Sequence, residues 1–269
     1  FDGVRHNNLT VTGKTTVAGT LTLNDSDVEL GLALTTDYAL EMTGGALDMG
    51  GADVKTGAVN ISGGALTPTT ATWEVMSAYS SNAWISVPSS FTNQGTLKLT
   101  SPLGGNIRSP QQLNDIILDA SSGTPTWTLV TQGWGCESLT ITDGTLDTGS
   151  DFGLTVTGLC NVGSGILTGN GSAISMGGLL VGSSGKYDAT TATTTITAED
   201  VTGYTWDVNG TDSFDNNDGT VLFDLGVGVD SHIRTGQADG ANSFHNLTVA
   251  MYDSGKTLVL RPNGGSAIT

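Results

Sequence analysis

The chain has 269 residues, 39 of them glycine, and only 13% are charged; glycine is roughly doubled and charge about halved against ordinary usage. Nine basic residues face 26 acidic ones, a net charge of −17, which repels phosphate backbones and anionic lipid and excludes nucleic acid as a partner. No apolar run reaches the length of about 18 residues that a spanning helix needs, so no membrane insertion is expected, and the abundance of Thr, Gly, Ser, Asn and Asp points to strands and turns rather than helices.

Residues 1–66 carry the clearest repetition. Leu21-Thr22-Leu23, Leu40-Glu41-Met42 and Val59-Asn60-Ile61 follow one another at one constant interval. Met42-Thr-Gly-Gly-Ala-Leu47 returns at the same interval as Ile61-Ser-Gly-Gly-Ala-Leu66. Apolar–polar alternation marks strands, and a fixed period near 20 marks a solenoid whose coils bury their apolar faces only by stacking. Val28-Glu-Leu30-Gly-Leu32 adds a half-buried strand pattern.

Residues 67–135 break the pattern and form an irregular section rich in Trp and Pro. Trp73-Glu-Val-Met, Trp84-Ile-Ser-Val and Thr96-Leu-Lys-Leu still read as strands. Gln111–Leu118 is the most helix-like stretch, although its Ile116-Ile117 pair favours a strand. The section is expected to be either an insertion, with tandem β-sandwiches the runner-up architecture, or a set of wider coils filled with aromatics.

Residues 136–200 return to solenoid order. Leu139-Thr-Ile141 recurs as Cys160-Asn-Val162, and Leu154-Thr-Val156 as Ile174-Ser-Met176, at nearly the interval of the first region. Residues 201–269 form a looser β-rich section that opens a further repeat, since His245-Asn-Leu-Thr-Val249 echoes Asn7-Asn-Leu-Thr-Val11. The expected fold is therefore all-β, a parallel β-helix or β-solenoid of about a dozen coils, each of roughly 19–21 residues. With Phe1 in first place and a strand just beginning at the other end, the chain is expected to be part of a longer polypeptide.

Few residues point to chemistry. Asp212, Asp215 and Asp218 lie in a Gly/Asn-rich loop, the kind of oxygen donors Ca²⁺ takes, although a solvated Asx turn is the favoured reading. No other cofactor is expected. Cys136 and Cys160 would pair across neighbouring coils in an oxidising compartment, but the repeat aligns Cys160 with Leu139. Trp73, Tyr79 and Trp84 would stack on the rings of a glycan, or else fill irregular coils. Asp143, Asp147 and Asp151 sit in successive turns, as the paired carboxylates of glycoside hydrolysis would. No Gly-x-Ser-x-Gly elbow accompanies the three histidines, so no enzyme is expected.

Asn8-Leu-Thr-Val11, Gly19-Thr-Leu-Thr-Leu23, Ser138-Leu-Thr-Ile-Thr-Asp-Gly-Thr-Leu-Asp147 and Gly153-Leu-Thr-Val-Thr-Gly158 give the chain a phrasing that resembles the large β-solenoid proteins of phage tail fibres, spikes and capsid fibres, and of secreted bacterial adhesins. The resemblance covers about half of the chain and carries over no catalytic residue. It implies a rigid extracellular fibre component, on a virion or cell surface, that contacts a host. Its partners would be itself, other fibre subunits or a host-surface glycan. A bacterial adhesin or filament subunit, and a polysaccharide depolymerase on a β-helix, are the alternatives.

Overall fold

A computed structural model describes residues 8–11, 13, 15–17, 20–22, 27–31, 37–86, 95–108, 112–120, 122–197, 205–226, 231–235, 242–252 and 257–262. The described residues contain no helix, so none is long and apolar enough to cross a membrane. Parallel strands stack as a β-solenoid of about nine turns, fewer than the dozen expected because several coils are longer than the sequence period. The chain divides into two compact units, Phe1–Trp134 and Gly135–Thr269.

The first unit holds β1 (Asn8–Val11), β2 (Thr15–Val17), β3 (Thr20–Thr22), β4 (Asp27–Leu30), β5 (Leu40–Asp48), β6 (Val54–Thr56), β7 (Val59–Thr67), β8 (Thr72–Val75), β9 (Asn82–Ser86), β10 (Thr96–Leu99), β11 (Gly105–Arg108), β12 (Gln112–Leu118) and β13 (Thr126–Leu129). One sheet runs β1-β4-β6-β8-β10-β12 and the other β2-β5-β7-β9-β11-β13, with β3 also on β5. Gln112–Leu118 is thus a strand, and the described strands of the Trp-rich section pair in parallel, coil on coil, rather than as a β-sandwich.

The second unit holds β14 (Trp134–Ile141) from its second residue on, then β15 (Thr145–Asp147), β16 (Leu154–Val162), β17 (Ile166–Thr168), β18 (Ile174–Val181), β19 (Lys186–Asp188), β20 (Thr193–Ile196), β21 (Trp206–Val208), β22 (Phe214–Asp215), β23 (Thr220–Leu225), β24 (Ser231–Thr235), β25 (Asn246–Met251) and β26 (Leu258–Pro262). The sheet orders are β14-β16-β18-β20-β23-β25 and β15-β17-β19-β22, while β21, β24 and β26 continue from the second half of β18.

Each long strand is two short faces joined at a corner. In β5 the Leu40–Met42 half pairs with Thr15–Val17, and the Ala46–Asp48 half pairs with Thr20–Thr22. The same corner in β7 needs glycine: Gly64 sits at φ +94°, and a Cβ there would lie 2.8 Å from the Gly44 carbonyl oxygen. Between corners, alternate residues point inward and stack on their equivalents one coil away. Leu40 lies on Val59, Met42 on Ile61 and Leu47 on Leu66, all of them buried. In the second unit Leu154 lies on Ile174 and Val156 on Met176. The Gly163 N–H donates to the Ile141 carbonyl at 2.9 Å, the register that sets Cys160 on Leu139.

Coil length and core filling vary together. Coils that keep the sequence period are filled by aliphatic side chains, as between Leu40 and Val59 or Leu146 and Leu167. The steps from Val59 to its partner Trp84, and from Leu179 to its partner Trp206, are longer. A longer perimeter encloses more volume, and close packing requires larger side chains to occupy it. Trp73, Trp84, Trp127, Trp134 and Trp206 are all at most 2% exposed.

Candidate functional site

A shallow depression lies in the first unit, where a wide coil leaves its strand. Tyr79 and Asn82 exchange two backbone hydrogen bonds of 2.8 Å, closing a tight turn with Ser80 at φ 48° and Ser81 at φ 66°. Two consecutive non-glycine residues in the left-handed region are the signature of a type I′ turn and cost free energy that the surroundings must offset. Asn82 supplies part of that offset. Its Nδ2 donates to the Tyr38 hydroxyl and the Ser80 carbonyl, each at 3.2 Å. Its Oδ1 accepts from Arg108 Nε at 3.1 Å. Tyr38 packs edge-on against Tyr79, ring centroids 5.0 Å apart.

Beside this turn is an open hollow of about 410 Å³, lined by Ser80, Ser81, Asn106, Thr126 and Thr128, with Ala78, Gly105 and the exposed Leu103. Gly104, next to the lining residue Gly105, lets the backbone approach Thr126 closely: its φ is +67° and a Cβ would lie 2.1 Å from the Thr126 carbonyl oxygen. The lining offers hydroxyls, an amide and one apolar contact. None of these side chains is an acid or a base, so the hollow is suited to holding a neutral polar ligand rather than to proton transfer. In the sequence the Ser80–Ser81 turn shows only as a pair of turn-forming residues.

The glycan expectation for Trp73 and Trp84 is corrected. They are 1% and 0% exposed, and their rings meet each other at 4.7 Å. Trp73 Nε1 donates to Thr56 Oγ1 at 3.1 Å inside the core. Both rings fill the wide coil and present no face to a sugar. Tyr79 alone of the three is half-buried, and it flanks the hollow.

The Asp212–Gly219 loop is organised by its own side chains. Asp215 Oδ1 accepts from the Asn217 N–H at 3.3 Å, and Asn216 Oδ1 from the Asp218 N–H at 3.0 Å. Asp212, Asn217 and Asp218 have positive φ, and Asp218 faces His245 Nδ1 at 3.2 Å. These are Asx turns; among the described residues no three His, Cys, Asp or Glu side chains gather closely enough to hold a metal ion. Asp143 and Asp147 likewise accept from the Gly144 and Gly149 N–H groups, each at 2.7 Å, and Asp147 also takes the Asn170 amide at 2.6 Å. Their positions follow from closing turns.

No disulfide joins Cys136 and Cys160, which are both buried. Cys160 stacks on Leu179 on one side and is level with Leu139 on the other, so its equivalent on the neighbouring coil lies beyond Cys136. Burial pushes the Cys160 thiol up to about 12, leaving it a small apolar core residue. A charge pair that the sequence pattern does not reveal joins β21 to β24: Arg234 grips the almost wholly buried Asp207 with both Nε and Nη2. The two are register partners one long coil apart, outside the spacing that sequence repetition offers.

No family model, curated protein or solved structure matches the chain.

Proposed function

We propose that this chain is a structural and adhesive component of an extracellular fibre, most simply part of a virion fibre or surface protein that reaches a host. The observation carrying this reading is the continuity of the inward ladders. In the second unit Leu154, Ile174, Thr194, Val221 and Leu247 occupy one column through five successive coils. Each coil is bonded to the next along its backbone, so bending or opening one coil breaks contacts on both sides. Such a scaffold supplies stiffness and resistance to proteolysis.

Recognition then falls to the turns that project from the scaffold. The hollow beside Ser80 and Ser81 is where we place contact with a neutral, hydroxyl-rich ligand such as a host-surface glycan. The acidic, lysine-poor surface favours solubility and disfavours bundling through non-specific charge contacts.

The test combines binding with product analysis. Purified protein is incubated with intact candidate host cells and, separately, with capsule and pectin-type polymers. Retention on cells with no rise in reducing ends agrees with a fibre. Release of reducing ends makes the chain a depolymerase and removes this reading. Genes for capsid and tail parts beside its own separate a virion fibre from a bacterial adhesin.

A further inference from the structure

Two Asn-Gly pairs lie among the described residues, Asn170-Gly171 and Asn209-Gly210, and the fold treats them differently. The Ser172 N–H donates to the Gly169 carbonyl at 3.0 Å, closing a tight turn with Asn170 at φ 47°. Gly171 lies outside the left-handed region, so the pair has the type II′ pattern, whose first central residue has ψ of about −120°. At that angle in an L-residue, Cβ eclipses the following nitrogen. Cβ, Cα and the carbonyl carbon of Asn170 then lie close to one plane with the Gly171 nitrogen. These are four of the five ring atoms of a succinimide, and only Cγ remains to be brought in. Asn209 has no such geometry. Its N–H donates to the Val181 carbonyl at 3.0 Å as the chain leaves β21, its φ is not positive, and Gly210 is buried.

The surroundings suit the reaction that this geometry begins. Asn170 is exposed, so water reaches it. Its Nδ2 donates to Asp147 Oδ1 at 2.6 Å, which sets a carboxylate beside the nitrogen that would depart. Gly171 has no side chain to shield its own nitrogen, and one there would run into the Asp151 carboxylate. That carboxylate stands against Gly171 as a base for the proton its nitrogen must lose. Asp147 and Asp151, which the sequence presents only as acids in successive turns, thus meet on one peptide of the next coil.

We propose that Asn170-Gly171 is a self-modification site, converting to aspartate and isoaspartate without an enzyme. The Gly171 nitrogen loses its proton to Asp151 and bonds to Asn170 Cγ. The Cγ–Nδ2 bond breaks, and Nδ2 takes up a proton and leaves as ammonia. Water then opens the cyclic imide, at the side-chain carbonyl to give aspartate or at the backbone carbonyl to give isoaspartate. One ammonia is released, one water is consumed and nothing is oxidised. Either product places a carboxylate where the amide met Asp147, turning a hydrogen bond into a like-charge contact. In isoaspartate the Asn170 carbonyl, which accepts the Thr191 N–H at 2.7 Å, also leaves the main chain, so a bond between coils is lost. The site goes beyond the fibre reading and does not rest on it.

The full chain is held in mildly alkaline buffer at physiological temperature, folded and, in parallel, unfolded in guanidinium chloride. Peptide mass spectrometry follows the exchange of the amide for an acid, with isoaspartate resolved by chromatography. In the folded chain Asn170 should convert at least about tenfold faster than Asn209, and in denaturant the two rates should converge. Asp151→Asn keeps a residue that tolerates the φ of 68° at that position, and should slow the folded-state conversion of Asn170 about tenfold. An Asn170 that stays intact in the folded chain overturns the proposal, as does one that reacts no faster than Asn209 or is indifferent to Asp151→Asn.

Discussion

Asp207 and Arg234 are register partners on adjacent coils, and the guanidinium closes on the carboxylate through two nitrogens. Their environments differ: the Asp207 side chain is 5% exposed and that of Arg234 27%. Removing the arginine strands a buried carboxylate, whereas removing the aspartate leaves a cation that reaches water. Arg234→Ala should therefore cost about 2–4 kcal/mol, and Asp207→Ala distinctly less. Urea unfolding of the two variants measures the difference, and equal losses would contradict the asymmetry.

The five tryptophans make a second expectation. All are buried, so native emission should be blue-shifted, resist acrylamide and remain unchanged on adding glycans. Their indole N–H groups are not equivalent. Trp73 donates to Thr56, while Trp206 Nε1 has no acceptor among the described residues and sits among Phe214, Phe223, Phe244 and Tyr187. Trp73→Phe should therefore cost about 1 kcal/mol more than Trp206→Phe. Trp206→Ala, which empties the middle of that cluster, should cost about 3–5 kcal/mol. Denaturant midpoints of the three variants check the order.

The same geometry explains what the sequence makes legible. Leu154 on Ile174 and Leu40 on Val59 can be read in advance because those coils keep one length and glycine marks their corners. The Leu21 triplet misleads. Leu21 lies opposite Leu47, on the second half of β5, while Thr15–Val17 occupy the place beside Leu40–Met42. The long step from Leu30 to Leu40 lengthens that coil, and apolar-polar-apolar triplets occur on every face, so matching triplets alone does not identify the face. The hollow is less legible still. Asn82 reaches Tyr38 and Arg108 across 44 and 26 residues, and the stacking of unequal coils, rather than any local motif, creates those contacts.

Charge alternates across the first unit. Glu29, Lys55, Glu74 and Lys98 are successive register partners on four coils, and Lys98 also meets Asp119 at 2.7 Å. With strands about 4.8 Å apart, Glu74→Lys would line up three lysines. Each cross-strand pair of this kind is worth about 0.2–1 kcal/mol, so a loss of roughly 1 kcal/mol is expected at low salt. Most of it should vanish in about 1 M NaCl, where the screening length falls to about 3 Å. A loss independent of salt would assign the effect to packing.

Alkaline pH should act through the core thiol. Burial raises Cys160 from 9.0 to about 12 and also raises the Tyr187 hydroxyl, which lies wholly inside the second unit. Between the two Cys160 values the unfolded chain loses the thiol proton while the folded chain keeps it. The folded state then binds more protons, and the slope of unfolding free energy with pH is negative. The stabilising contribution is complete below pH 9.0 and is lost progressively as pH rises from 9.0 towards about 12. Cys160→Ala removes the thiol and should flatten this part of the curve, at the cost of lower stability at neutral pH from the space it leaves. In the native protein near neutral pH, iodoacetamide should leave Cys160 unmodified and label it only after denaturant is added; prompt native labelling would show that the thiol is not held in a closed core.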